Sequence, residues 1–305
     1  MRRRADPGLL LLLTPLLWGA TFPGAKIALR HLGVLPFMSW TRTLGFVTIL
    51  LCLPLLRRAG GEGGGGLREV LVPGMLLGAL MFVGFTLQSA GLARTTATNA
   101  GFITGLYVVF TPVIAALALR QRAPGTVWLA VAASAVGLAL LSIQDLGAIR
   151  LHAGDLLVLA GAVAWAGHIA AVGRFSPRYP AWMLALAQMG FAALLHLVAS
   201  APGGLEIPQA VAGSVWPLLI LTGVFASGVA FTIQVVAQRT VTAGRAVVML
   251  AGEAIFSAAF SAVWIGERLS VHQWVGAALV LAAMAFSELS ARRSPAERIE
   301  PAAVP

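Results

Sequence analysis

Ten stretches of this chain are apolar enough, and about long enough, to cross a bilayer, which takes about 20 mostly apolar residues as a helix. They run over roughly 9–28, 35–56, 70–92, 98–119, 126–143, 154–173, 181–201, 214–237, 244–265 and 272–290. In hydrocarbon every backbone N–H and C=O must be satisfied within the protein, so each stretch is expected to be helical. The fold class that follows is an all-α membrane protein of ten transmembrane helices. The 305 residues are 59% hydrophobic and only 10% charged, which makes lipid the main solvent.

A formal charge of +10 raises nucleic acid as a partner. The basic residues, however, sit in short clusters between apolar runs, as in the loops of membrane proteins, and nucleic-acid binding is set aside. Cys52 is the only cysteine, so no intramolecular disulfide or thiolate metal cluster is possible. The glycine-rich stretch Gly60 to Gly66 lacks the following Gly-Lys-Ser/Thr of a phosphate loop and reads as a flexible linker. Neither a cofactor nor a bound metal is expected. Met1-Arg2-Arg3-Arg4 before Leu9 to Leu13 is like a signal peptide, but no small-residue cleavage site follows, and the stretch reads as a retained first span.

Phe85-Thr86-Leu87-Gln88 recurs 146 residues later as Phe231-Thr232-Ile233-Gln234, and the same offset links Trp128 to Trp274. An offset of 147 links Trp18 to Trp165. Two copies of one unit are therefore expected, 1–146 and 147–292, followed by a short disordered tail, 293–305. With the N-terminus inside, 15 basic residues fall on the cytoplasmic side and five outside: Lys26, Arg30, Arg94, Arg150 and Arg268. Arg42 is left within span 2. This asymmetry fits ten spans with both termini cytoplasmic. Five spans per copy is an odd number, so the second copy enters the membrane from the opposite face: the repeats are inverted. Such repeats commonly hold a substrate site at their interface near the midplane. Arginine supplies 20 of the 21 basic residues, a bias of high-GC bacteria that points to a bacterial cytoplasmic (inner) membrane.

Leu17-Trp18-Gly19-Ala20-Thr21-Phe22 in span 1 and the run from Thr95 to Tyr107 in span 4 resemble the drug/metabolite transporter superfamily, specifically its ten-span EamA-type exporters. Gly154-Asp155-Leu156-Leu157 and Gly266-Glu267-Arg268-Leu269-Ser270, followed by Gln273, extend the resemblance over nearly the whole chain. It implies a secondary transporter exporting amino acids or related small metabolites by alternating access, with spans 1, 3, 4, 6, 8 and 9 lining a central cavity. Membrane lipids and a small-molecule substrate are then the partners, with protons as a possible coupling ion. Two rival readings are an integral-membrane enzyme acting on a lipid-linked substrate and a non-transporting scaffold. The loops are short and carry few acids, and no Ser/His/Asp cluster has readable spacing, which speaks against the enzyme. A scaffold gives inverted repeats no purpose. The family often has Glu-Pro midway along span 9, where this chain has Glu253-Ala254, so the proline that would break that helix is missing. Thr111-Pro112 can supply a kink in span 4.

Glu253 is the only carboxylate near mid-membrane depth, where a charge costs roughly 3 kcal/mol on insertion scales. It either ties spans together, lines the cavity or couples transport to protons. Trp18 and Trp165 lie too deep for an interfacial aromatic belt. They either pack against Gly19 and Gly167 or flank an organic substrate, with Thr21, Tyr107 and His168 completing a weakly polar pocket. His168 alone is read first as a packing residue. Gln88 and Gln234 mark opposite mouths of the pathway, as gating hydrogen bonds or as structural glue. Lys26 reads as a snorkelling interfacial anchor. For Glu253→Gln, proton coupling predicts normal folding with loss of the pH dependence of transport in proteoliposomes; transport unchanged at every pH would exclude it.

Overall fold

The computed structural model describes residues 7–59, 66–120, 123–142, 153–205 and 209–293. The N-terminal arginines Arg2 to Arg4, the glycine linker over 60–65 and the tail from 294 onward lie outside the described residues. Among the described residues every regular element is helical. Nine are long and apolar enough to span a bilayer: α1 (Pro7–Ala28), α2 (Val34–Leu51), α3 (Leu67–Leu92), α4 (Ala97–Leu119), α6 (Ala153–Phe175), α7 (Ala181–Gly203), α8 (Gly213–Ala237), α9 (Ala243–Ile265) and α10 (Val271–Ser290). Between α4 and α6 lies α5, a shorter apolar helix over Gly125–Leu140. Large apolar side chains face outward, among them Leu117 at 81% and Val271 at 82% exposure, as a lipid-solvated surface requires.

The 146-residue repeat of sequence reappears in the caps and breaks of the helices. Thr96 caps the start of α4 by accepting from the Asn99 N–H, and Thr242 caps α9 by accepting from the Arg245 N–H. At the far ends, Arg120 and Gly266 are both left-handed, φ 53° and 72°, and donate their N–H groups to Ala115 O and Ser261 O. Each of these residues has its counterpart 146 positions along. Only the glycine adopts that conformation without a Cβ penalty.

Both α4 and α9 are interrupted midway, again at equivalent places. In α4 the Leu106 N–H reaches only to Ile103 O, and in α9 the Gly252 N–H reaches only to Met249 O. These tight turns split α4 into Ala97–Gly105 and Tyr107–Leu119, and α9 into Ala243–Leu250 and Glu253–Ile265. Span 9 is thus broken although the family's proline is missing from it. Gly252 makes the turn instead, in a place where a Cβ would meet the Met284 side chain at 2.9 Å. The break in α4 likewise falls upstream of Pro112, within the helix it begins.

Glycines set the distances between helices. A Cβ on Gly19 would lie 2.8 Å from the Ser257 nitrogen, so α1 runs almost backbone to backbone along α9. On α2, Gly45 meets Ser227 of α8, and on α3, Gly78 meets Gln188 O of α7. Gly137 holds α5 against α10 beside Gly276 O. Small residues that let helices approach are the usual adhesive in lipid, where no hydrophobic force draws apolar helices together.

Polar contacts tie the two ends of the bundle. At one end Asp155 Oδ1 accepts from Thr95 Oγ1 and Asn99 Nδ2, while Glu267 Oε2 accepts from the Thr98 N–H. There too the Lys26 ammonium donates to Leu92 O, Ala93 O and Thr95 O at the end of α3. All three donors are spent on carbonyls at the end of α3, so Lys26 caps that helix. At the other end Arg245 pairs with Glu288. Gly45→Val should lower the melting temperature in detergent by the equivalent of about 1–3 kcal/mol, because its Cβ would sit 2.7 Å from Ser227 Cβ; an unchanged melt would show the α2–α8 contact to be loose.

Candidate functional site

Where α4 and α9 break, a cavity opens at the centre of the bundle. Its wall comes from α1, α3, α4, α6, α8 and α9 alone, and it comprises about 450 Å³ of space, part of it open to solvent. It is narrow, with aromatic side chains packed edge to face across it. An organic solute would need the wall to part.

Four rings from the two copies form that wall. Trp18 lies 4.7 Å from Phe231 between ring centroids, and Phe85 lies 4.5 Å from Trp165. The two pairs are equivalent under the repeat, and they meet where Phe85 touches Phe231 at 5.6 Å. Trp165 fits because Gly84 leaves room for it; a Cβ there would lie 2.9 Å from the indole. Phe85 and Phe231 began as the markers of the repeat, yet sequence reasoning assigned only their glutamine neighbours to the pathway. The signal for the rings was present: aromatic residues at equivalent mid-membrane positions of both copies, the same criterion that selected the tryptophans.

Polar groups are few and unequal between the copies. Trp165 Nε1 donates to Gln88 Oε1, and Gln88 Nε2 donates to Thr104 Oγ1. Trp18 Nε1 donates instead to the carbonyl of Ala226. That carbonyl belongs to Leu221–Ala230, a ten-residue π-helical stretch of α8, whereas the equivalent part of α3 is regular α-helix. The wide turns present Thr222, Ala226 and Ser227 to the cavity, and such π-helical stretches recur at functional sites. Sequence reasoning did not find them.

Tyr107 and Glu253 occupy the first position after each break, 146 residues apart, and both line the cavity. Glu253 opens the second half of α9, where the helix dipole favours negative charge. It is 3% exposed, and Glu253 Oε1 and the Tyr107 hydroxyl, both buried, lie close enough to interact, though neither completes a well-formed hydrogen bond. Thr21, also in the wall, donates to Trp18 O.

Two expected site residues stand elsewhere. His168 is buried and lies behind the rings, 5.7 Å from Trp165 and from Phe231, with its Nε2 paired to Gln188 Oε1 on α7. Three residues beyond Trp165 on α6, it is turned away from the cavity by about 60°. Gln234 is also fully buried off the cavity; its Nε2 donates to Gln238 Oε1, and Gln238 Nε2 donates to Ile169 O. Its counterpart Gln88 is in the cavity wall, so the two glutamines sit in different environments.

A mid-membrane cavity between two copies of a helical unit, each with a helix broken at the same place, defines a membrane transport fold. The chain belongs to the EamA-like transporter family, whose model matches it twice, over residues 7–143 and 152–288. It is thus a multi-pass membrane transporter. It is 33% identical over 290 residues to an uncharacterized transporter of Archaeoglobus fulgidus, covering 94% of this chain and 87% of that protein. A solved crystal structure shares the fold with a TM-score of 0.72 at 19% identity, covering 95% of this chain and 99% of the other.

Gln88→Leu should leave the Trp165 indole N–H unpaired at the cavity wall, costing roughly 1–3 kcal/mol. Thermal unfolding in detergent checks this; an unchanged melting temperature would show that the bond contributes nothing.

Proposed function

We propose that this transporter exports small organic metabolites, amino acids or related solutes, by alternating access between two inverted repeats, residues 1–146 and 147–292. The observation that carries the reading is the matched set of cavity residues. Trp18 with Trp165, Phe85 with Phe231, and Tyr107 with Glu253 are repeat equivalents, and all six line one cavity. Inverted copies around a shared site can exchange conformations, so that one protein is open to each side in turn. Ring faces suit an apolar or aromatic side chain, and the few hydroxyls, indoles and one carboxylate suit a small polar head. The protein works in a bacterial cytoplasmic membrane with both termini inside, and Glu253 carries a coupling proton.

Gln88 and Gln234 act as the two gates. In the described conformation Gln88 fronts the cavity, while Gln234 links α8 through Gln238 to Ile169 O on α6. The opposite conformation exchanges these arrangements, and a ligand shifts the balance only by binding one of them more tightly.

Counterflow of labelled neutral amino acids into proteoliposomes preloaded with the same compound tests the proposal. Saturable uptake of at least one compound, reduced about tenfold or more by Trp165→Ala as expected for loss of an aromatic binding surface, supports it. Folded, reconstituted protein that moves none of them, or that converts a lipid-linked compound without flux, sinks it.

A further inference from the structure

Arg42 sits midway along α2 and is completely buried. Its Nε and Nη1 have no hydrogen-bond partner. Among the described residues no carboxylate lies within ion-pair distance of it. Its close neighbour is the Phe85 ring, whose centroid lies 3.5 Å from the guanidinium carbon. His196, bonded to Thr86 Oγ1 and to Ala192 O, is near enough to feel its charge. A histidine in that company supplies no negative charge.

Buried charges in membrane proteins are paired or serve a pathway. An unpaired guanidinium beside a cavity calls for an anion at some stage of the working cycle. Among the described residues the chain's acids do not provide one: Asp155 is held by Thr95 and Asn99, Glu267 by Thr98 and Glu288 by Arg245, and Glu69 lies in the first turn of α3. Glu253 stands at the break in α9, with no ion pair to Arg42. Phe85 is both the surface on which Arg42 rests and part of the cavity wall. An anion in the cavity therefore lies within one ring of the charge, and rotation of Phe85 would bring the two into contact.

We infer that Arg42 is the charge-selecting residue of the cavity, so that the transported solute carries a single carboxylate that pairs with the Arg42 guanidinium once Phe85 turns aside. The inference rests on the cavity being the transport site. A guanidinium fits the planar carboxylate through two parallel hydrogen bonds, made by Nη2 together with either Nε or Nη1, and those last two are both idle. One cation balances one negative group, so zwitterions and monoanions are accepted and cations are refused. Glu253 supplies a place for the positive end of a zwitterion.

Three near-isosteric probes separate the charges: 3-phenylpropionate (anion), L-phenylalanine (zwitterion) and phenylalaninamide (cation). Their affinities for the purified full chain in detergent are read from the shift in melting temperature, with sodium chloride as a fourth arm. Both carboxylates should bind at least about tenfold more tightly than the amide, as expected for a close charge in a poorly solvated site. Arg42→Gln should remove that preference. Should Arg42→Gln fail to fold, Arg42→Lys should weaken both carboxylates, because an ammonium cannot offer the fork. Equal binding of amide and carboxylates, failure of both carboxylates to bind, or a preference unchanged by substitution at Arg42 overturns the inference. So does stabilisation by chloride that depends on Arg42 without any by carboxylate. Counterflow keeps the two readings apart: no flux of any amino acid defeats the transport proposal, whereas flux or binding without charge preference defeats only this one.

Discussion

A bilayer offers nothing to a peptide group that has lost its helical partner, and this constraint governs where the helices are broken. The interruptions at Leu106 and Gly252 occur where α4 and α9 border the cavity, with Tyr107 and Glu253 next in line. Tight turns keep the local backbone bonded at each break. The same constraint explains the chemistry found there. The new helix start at Glu253 sets the positive end of a helix dipole beside the one carboxylate at this depth. A carboxyl group midway along either half of α9 would lack that support.

Around the breaks, the two copies have kept their architecture and diverged in chemistry. Caps, left-handed ends and interruptions coincide residue for residue, because each satisfies a backbone group that has no alternative. Side chains were freer to change. Tyrosine stands opposite glutamate, and Arg42 has Gln188 as its counterpart. The asymmetry reaches the backbone in α8, where the π-helical stretch supplies the carbonyl that Trp18 uses while Trp165 uses Gln88.

The spans, their helicity and the duplication were legible in the sequence because hydropathy and repetition are properties of the chain itself. Of the site, Trp18, Thr21, Tyr107, Trp165, Gln88 and Glu253 were legible from depth and repeat position, and all six line the cavity. His168 was misplaced because depth says nothing of rotation about the helix axis. The break in α9 was not legible from the missing proline, because a glycine packed against Met284 serves as well. The π-helical stretch left no motif. Arg42 was visible as a lone charge in an apolar span, but its want of a partner emerges only when every neighbouring helix is in place.

Interrupting a helix also changes its mechanics. The first half of α4, Ala97–Gly105, has nine residues and is a lever about 13 Å long. A swing of about 15° about Leu106, the size of rotation seen in allosteric proteins, would carry its tip about 3 Å. That is one hydrogen-bond length, and the bonds from Thr98 to Glu267 and from Asn99 to Asp155 lie at that tip. A small turn at mid-membrane depth is thus enough to unfasten an end of the bundle, with Tyr107 at the fulcrum.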